Sequence, residues 1–224
     1  MGLSFSSFRA VLSWKVKRGD YCWAWQAGVP LAFVLAMLLF YPTRTSFEMS
    51  YDEGIDLMKA MLVGRGYPLY SQIWSDQPPL FTYLLTGLFH LLGYKVGVGR
   101  ILVLLFSAVL VWAAMQFLSL TWGGLHALFG AVLLFLLPVY PLLSITVMIG
   151  LPSLAFAVLS LLALALWHRR CTSVWLVLSA LALSASLLVK LFTGILAPLF
   201  AAGILASQYY RLRGREGWRV VLMP

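Results

Sequence analysis

The chain has 224 residues, of which 62% are hydrophobic and 10% charged, whereas soluble domains average roughly 45–50% apolar and about 25% charged. That excess excludes an ordinary soluble enzyme, a disordered chain and a free nucleic-acid-binding module, although the formal net charge is +9. The basic residues are instead expected to set orientation in a membrane and to meet anionic head groups.

Residues 1–22 carry Arg9, Lys15, Lys17 and Arg18 ahead of an apolar stretch over 23–41. This pattern resembles the front of a signal peptide, but Tyr41-Pro42-Thr43-Arg44-Thr45 follows with no small-residue cleavage site, so an uncleaved first span is predicted. Met1-Gly2 with Ser6 meets only the loose myristoylation pattern. Further apolar stretches lie at 79–94, 101–120, 125–142, 151–167, 174–189 and 191–210. A span needs about 20 residues, and 79–94 opens on two prolines and contains Thr82 and His90.

Charge decides whether that segment crosses. If it does, seven Lys and Arg fall inside and nine outside, with Arg169, Arg170 and the cluster Arg211, Arg213, Arg215 and Arg219 among those outside. If it lies along the outer interface, ten fall inside and six outside, the six being Arg44, Lys59, Arg65, Lys95, Arg100 and Lys190. The second arrangement obeys the positive-inside rule.

The expected fold is therefore all-α, a polytopic transmembrane helical bundle. A cytoplasmic basic N-terminus (1–22) leads to a first span at 23–41, then an extracytoplasmic loop at 42–100 bearing surface helices. Five further spans follow between 101 and 210, at 101–120, 125–142, 151–167, 174–190 and 192–210, and a cytoplasmic basic segment at 211–224 ends the chain. Pro138, Pro141 and Pro152 predict an irregular outer connection at 143–150. Cys22 and Cys171 fit neither a disulfide framework nor a metal spacing.

Five of the seven acids, Glu48, Asp52, Glu53, Asp56 and Asp76, fall in the loop 42–100. Asp52 and Glu53 open an apolar-faced helix running from Ile55 to Leu62, where carboxylates favour the positive end of the helix dipole. They read either as first-turn acids or as a general base held at a membrane surface. Gly64-Arg65-Gly66-Tyr67-Pro68-Leu69-Tyr70 reads as a turn with aromatic interface anchors, and Trp74-Ser75-Asp76-Gln77-Pro78-Pro79-Leu80 as a second turn.

Taken together, the basic first span, Asp-Glu-Gly at 52–54, Gly-Tyr-Pro-Leu-Tyr at 66–70, Asp-Gln-Pro-Pro-Leu at 76–80 and Phe-His-Leu-Leu-Gly at 89–93 ahead of Arg100 resemble one family. The chain is similar to the N-terminal half of GT-C-type polytopic glycosyltransferases, the superfamily of protein O-mannosyltransferases, aminoarabinose transferases and the RgtA/B/C/D-like group. The resemblance implies a polyprenyl-phosphate sugar donor, transfer on the outer face to an acceptor hydroxyl, and a catalytic acid at Asp52 beside Glu53. It also implies a surface helix at 79–94 and an inner (cell) membrane location with both termini in the cytoplasm. Asp76 and Gln77 are expected at the substrate. Arg100 and Lys190 are expected at the outer membrane face, where cations would meet a lipid phosphate, although both also suit snorkelling at a helix end.

Two departures accompany the resemblance. Many relatives carry a second acid in the connection matching 143–152, where this chain reads Leu-Ser-Ile-Thr-Val-Met-Ile-Gly-Leu-Pro. That argues against a metal shared between loops; Asp52, Glu53 and Asp76 could still gather around a divalent cation, though no ligand spacing demands one and no resident cofactor is expected. Relatives are also longer, so a truncated or split enzyme, with a C-terminal half or partner subunit elsewhere, is expected. Two other functions compete: a non-catalytic remnant or partner subunit that binds lipid-linked sugar, and a transporter component, which the scarcity of charge within the spans disfavours.

Overall fold

Positive-φ glycines and prolines divide the chain into helices at the points where the backbone must turn. The computed structural model describes residues 23–41, 50–170 and 172–205. The basic N-terminus, Cys22, Arg44, Glu48, Cys171 and the cluster Arg211, Arg213, Arg215 and Arg219 lie outside the described residues. Those described form α1 (Trp23–Phe40), α2 (Tyr51–Gly64), α3 (Leu80–Leu92), α4 (Val96–Trp122), α5 (Gly124–Leu136), α6 (Val139–Ser144), α7 (Gly150–Arg170) and α8 (Ser173–Val189). A 3-10 turn at Leu191–Leu196 then continues as helix to Leu205. Among the described residues there is no strand, and the all-α helical membrane bundle expected from the sequence is what forms.

Gly93 and Gly123 take φ of 87° and 99°, a region that side chains disfavour, and so end α3 and α4. Two helices, Val96–Trp122 and Gly150–Arg170, are long and apolar enough to cross a membrane. Around them stand shorter apolar helices whose outer faces expose Leu39, Leu125, Phe129, Leu136, Leu181 and Ile195. Exposed apolar side chains at this density suit lipid rather than water. The apolar stretch 125–142 is not one helix. Pro138 cannot donate a backbone hydrogen bond, and the helix breaks at Leu137 before α6 resumes.

Side-chain bonds give the chain direction. Gln26 Nε2 donates to Ser119 Oγ at 3.1 Å, and Arg169 donates to the Leu120 carbonyl, so these residues share one end. At the other end Arg100 pairs with Glu53, and the Val147 N–H reaches the same carboxylate. Helices α4 and α7 are therefore parallel, with α1 antiparallel to α4. Helix α8 returns antiparallel to α7, and two serine pairs join them. Ser186 Oγ donates to the Ser153 carbonyl at 2.8 Å, and Ser179 Oγ to the Ser160 carbonyl at 2.9 Å. Small hydroxyl residues let helix backbones approach closely and bond across the seam in an apolar surround.

Helix α3 packs on α2. Its buried face holds Phe81, Thr82, Leu85, Thr86 and Phe89, a spacing of three and four that makes one helical stripe. Thr86 Oγ1 lies 3.0 Å from the carbonyl of Ala60 in α2 and 2.8 Å from that of Thr82. Burying Phe81, Leu85 and Phe89 contributes about 1.5–3 kcal/mol each. Its outward face carries Tyr83, Leu84, Leu91 and Leu92.

Candidate functional site

The Asp52–Glu53 dipeptide begins α2, where Ser50 is the extended residue before the helix and its carbonyl accepts the Glu53 N–H at 3.0 Å. Successive helical positions point about 100° apart, so the two carboxylates cannot share a direction. Glu53 turns inward and is 1% exposed, whereas Asp52 is exposed. Arg100, from the first turns of α4, grips Glu53 with both forks. Nε donates to Oε1 at 2.8 Å and one terminal nitrogen to Oε2 at 2.9 Å. The Val147 N–H adds a bond to Oε1 at 3.2 Å. One buried carboxylate thus ties together α2, α4 and the connection before α7. The sequence expectation that Glu53 and Arg100 face a substrate does not fit this geometry, since each has its charge satisfied by the other inside the protein. Neither is placed to take a proton from an acceptor or to grip a lipid phosphate.

Close packing surrounds the pair. A Cβ on Gly99 would lie 2.9 Å from Val147, 3.1 Å from Leu57 and 3.4 Å from Leu85. Ile145, Thr146 and Val147 are buried, so the connection before α7 contributes backbone to this knot.

A second group of charges lies above the knot. Asp56 follows Asp52 by one helical turn and so shares its face. It is partly buried, and burial pushes its carboxyl up to about 6, with Asp52 and Asp76 adding to the rise and the cations of Lys59 and Lys190 opposing it. Lys59 Nζ lies 3.7 Å from Asp76 and 5.9 Å from the centre of the Trp74 ring, which fastens the loop at 65–79 to α2. Gln77 Nε2 donates to Asp76 Oδ2 at 2.7 Å, and this bond holds the Asp76 carboxyl below its ordinary value. Lys190 stands at the end of α8, its nitrogen 5.4 Å from the Phe192 ring centre.

The same loop is folded tightly. Tyr70 takes φ of 71°, uncommon for a bulky residue and a mark of strain at functional segments. Its hydroxyl donates to the Gln77 carbonyl at 2.9 Å, which fixes the Asp76–Gln77 turn.

Of the six residues expected at the site, Asp52, Asp76, Gln77 and Lys190 gather at one end of the bundle, while Glu53 and Arg100 lie beneath it. Asp56 and Lys59 were not expected there. The spacing of four from Asp52 is the signal that could have found Asp56, since it puts both acids on one helical face. Among the described residues no three His, Cys, Asp or Glu come together to hold a metal ion.

The family model for dolichyl-phosphate-mannose-protein mannosyltransferase matches residues 76–223, a stretch that takes in Asp76, Gln77, Arg100 and Lys190 and begins after Asp52. No curated protein and no solved structure matches the chain.

Proposed function

The chain belongs to the dolichyl-phosphate-mannose-protein mannosyltransferase family, membrane glycosyltransferases of the GT-C type, and we propose that Asp52 is the general base of its transfer reaction. The donor is a sugar on a polyprenyl phosphate, and the acceptor is a hydroxyl presented at the extracytoplasmic face of the cell membrane. The hydroxyl oxygen attacks the anomeric carbon, its proton passes to Asp52, and the bond from that carbon to the phosphate oxygen breaks with its electron pair leaving on the lipid phosphate. Such a leaving group needs a cation more than a proton. Lys190 supplies it, and the Asp76–Gln77 turn borders the sugar.

One observation carries this reading: adjacent carboxylates have divided roles. Glu53 is locked under the surface by Arg100, which fixes the first turn of α2 and with it the exposed Asp52. Positioning of this kind is what a base needs to meet a bound hydroxyl at hydrogen-bond distance. We place both termini in the cytoplasm; in support, Arg169 and Arg170 lie at the end of the bundle opposite Asp52, and basic residues favour the cytoplasmic side.

The test is transfer of labelled mannose from a polyprenyl-phosphate donor to membrane acceptors. Asp52→Asn is expected to lower the rate by about 10²-fold or more with membrane insertion unchanged. Normal transfer by that variant would overturn the assignment.

A further inference from the structure

Trp74 has no part in the reaction set out above, yet it is an exposed side chain on a backbone tied down at both sides. The residue is 78% exposed. Ile73 before it is buried, and the Ile73 carbonyl accepts the Tyr70 N–H at 2.8 Å. After it, the Ser75 hydroxyl accepts the Gln77 N–H at 3.3 Å, inside the turn that the Tyr70 hydroxyl closes. The ring is held as well. The Lys59 ammonium stands 5.9 Å from its centre, within the range of a cation–π contact. Lys59 is only 7% exposed and is paired with Asp76 at 3.7 Å. One face of the indole is thus fixed by a buried cation, and the other is open. An aromatic that only marks the head-group level has to lie at the interface and needs no cation beneath it.

A pyranose ring has an apolar face of C–H groups and a rim of hydroxyls. The C–H hydrogens are slightly positive and suit the negative face of an indole, while the hydroxyls need fixed donors and acceptors. Asp76, reached by the same ammonium, offers carboxylate oxygens, and Gln77, bonded to it at 2.7 Å, offers an amide. A flat apolar surface beside a few fixed polar groups is what orients a small ligand. We propose that Trp74 is the stacking platform for the donor's sugar ring, and that Lys59 is a positioning residue that sets the plane of the indole relative to Asp76. The inference rests on the reading that the Asp76–Gln77 turn borders the sugar, and it names what the sugar's apolar face meets. A platform fixed in advance loses little further freedom when the ring arrives, so more of the contact appears as affinity.

The experiment is binding of a short-chain polyprenyl-phosphate mannose to the purified full chain in detergent micelles, beside the matching polyprenyl methyl phosphodiester. Both probes carry one negative charge and the same tail, so the ratio of their affinities isolates the sugar. Trp74→Ala is expected to lower that ratio about 2- to 12-fold, the range of one aromatic contact, with the methyl diester bound as before. Trp74→Phe should restore most of the ratio. Lys59→Met keeps the stem and removes the cation, so it should lower the ratio too, and Lys59→Arg should recover it. An unchanged ratio in Trp74→Ala would overturn the proposal, as would an equal loss of both probes, the mark of a head-group anchor. An unchanged ratio in Trp74→Ala together with a loss of acceptor affinity would give the platform to the acceptor and overturn it as well. A folded Lys59→Met with the wild-type ratio would overturn the positioning role; if that variant does not fold, the Trp74 variants, altered at an exposed side chain, still decide. Equal affinities for the two probes in the wild type would remove the reading that the turn borders the sugar, and this inference with it. A wild-type ratio that survives Trp74→Ala removes this inference alone. Asp52→Asn should keep the ratio, which separates either failure from a failure of the assigned base.

Discussion

Arg100→Leu isolates the buried anchor. The substitution strips Glu53, 1% exposed, of two guanidinium bonds at 2.8 and 2.9 Å. Removing one partner of a buried pair leaves an uncompensated charge and costs about 3–5 kcal/mol, a factor of roughly 150 to 5,000 in the folding equilibrium. For a chain of this size each kcal/mol moves the midpoint by about 2–4 °C. A loss of about 6–20 °C is therefore expected on heating the solubilised protein, read by tryptophan fluorescence and by its retention on size exclusion. Glu53→Leu combined with Arg100→Leu removes both charges, and apolar replacement of a whole pair is often neutral or stabilising. The double variant is expected to recover most of the midpoint yet still lose transfer, because α2 is no longer fixed beneath Asp52. A drop below about 2 °C in the single variant, or a double variant as unstable as the single one, would refute the reasoning.

Four further outcomes follow from the same packing. Gly99→Ala puts a methyl 2.9 Å from Val147 and 3.1 Å from Leu57 and should cost about 1–3 kcal/mol. Gly28→Ala, on α1, meets nothing within 4 Å and should gain up to about 1 kcal/mol, so equal midpoints for the two would contradict the packing. Ser186→Ala loses a bond of 2.8 Å to the Ser153 carbonyl and should cost about 0.6–1.7 kcal/mol in micelles, with non-additivity in a double-mutant cycle with Ser153→Ala. Asp76→Asn breaks a half-exposed pair at 3.7 Å and should change stability by less than about 1 kcal/mol; a larger loss would mean that the loop is held chiefly by that charge. Finally, the Asp56 carboxyl sits at about 6 in the folded chain against 3.8 ordinarily. Between those values the native state binds more protons than the unfolded one, so stability falls as pH rises through the window and the loss is complete above about 6. Asp56→Asn should flatten the midpoint between pH 4 and pH 7; a wild-type curve no steeper than the variant's would count against it.

The helical bundle was legible because apolar runs are long and few charges interrupt them. Charge counting put 79–94 along the surface rather than through the membrane, but which of its residues pack inward, Phe81, Thr82, Leu85, Thr86 and Phe89, became visible only with α3 laid on α2. The division of 125–142 was harder to see, since hydropathy weighs Leu137 and Pro138 as apolar while the backbone registers a missing donor. The least legible feature was the Glu53–Arg100 pair. Forty-seven positions separate them, and each taken alone offers a charge near a membrane face, which reads as a site residue. Only packing reveals that the two charges are satisfied by each other inside the protein. Asp56 was missed in the opposite sense: it was counted among the loop acids and given no role, because its burial depends on neighbours distant in sequence.

The serine pairs between α7 and α8 have a consequence for the distant Lys190. Ser153 with Ser186 and Ser160 with Ser179 are each seven residues apart on their own helix, so they work as two index marks on a pair of sliding scales. A slip of one turn, about 5.4 Å, would break all of these inter-helix bonds and leave the hydroxyls only the carbonyls of their own helix. The scale is read at its tip: Lys190 lies four residues, about 6 Å along the axis, beyond the upper mark. Its height along the bundle is thus set in part by hydroxyls buried between the two helices of the hairpin.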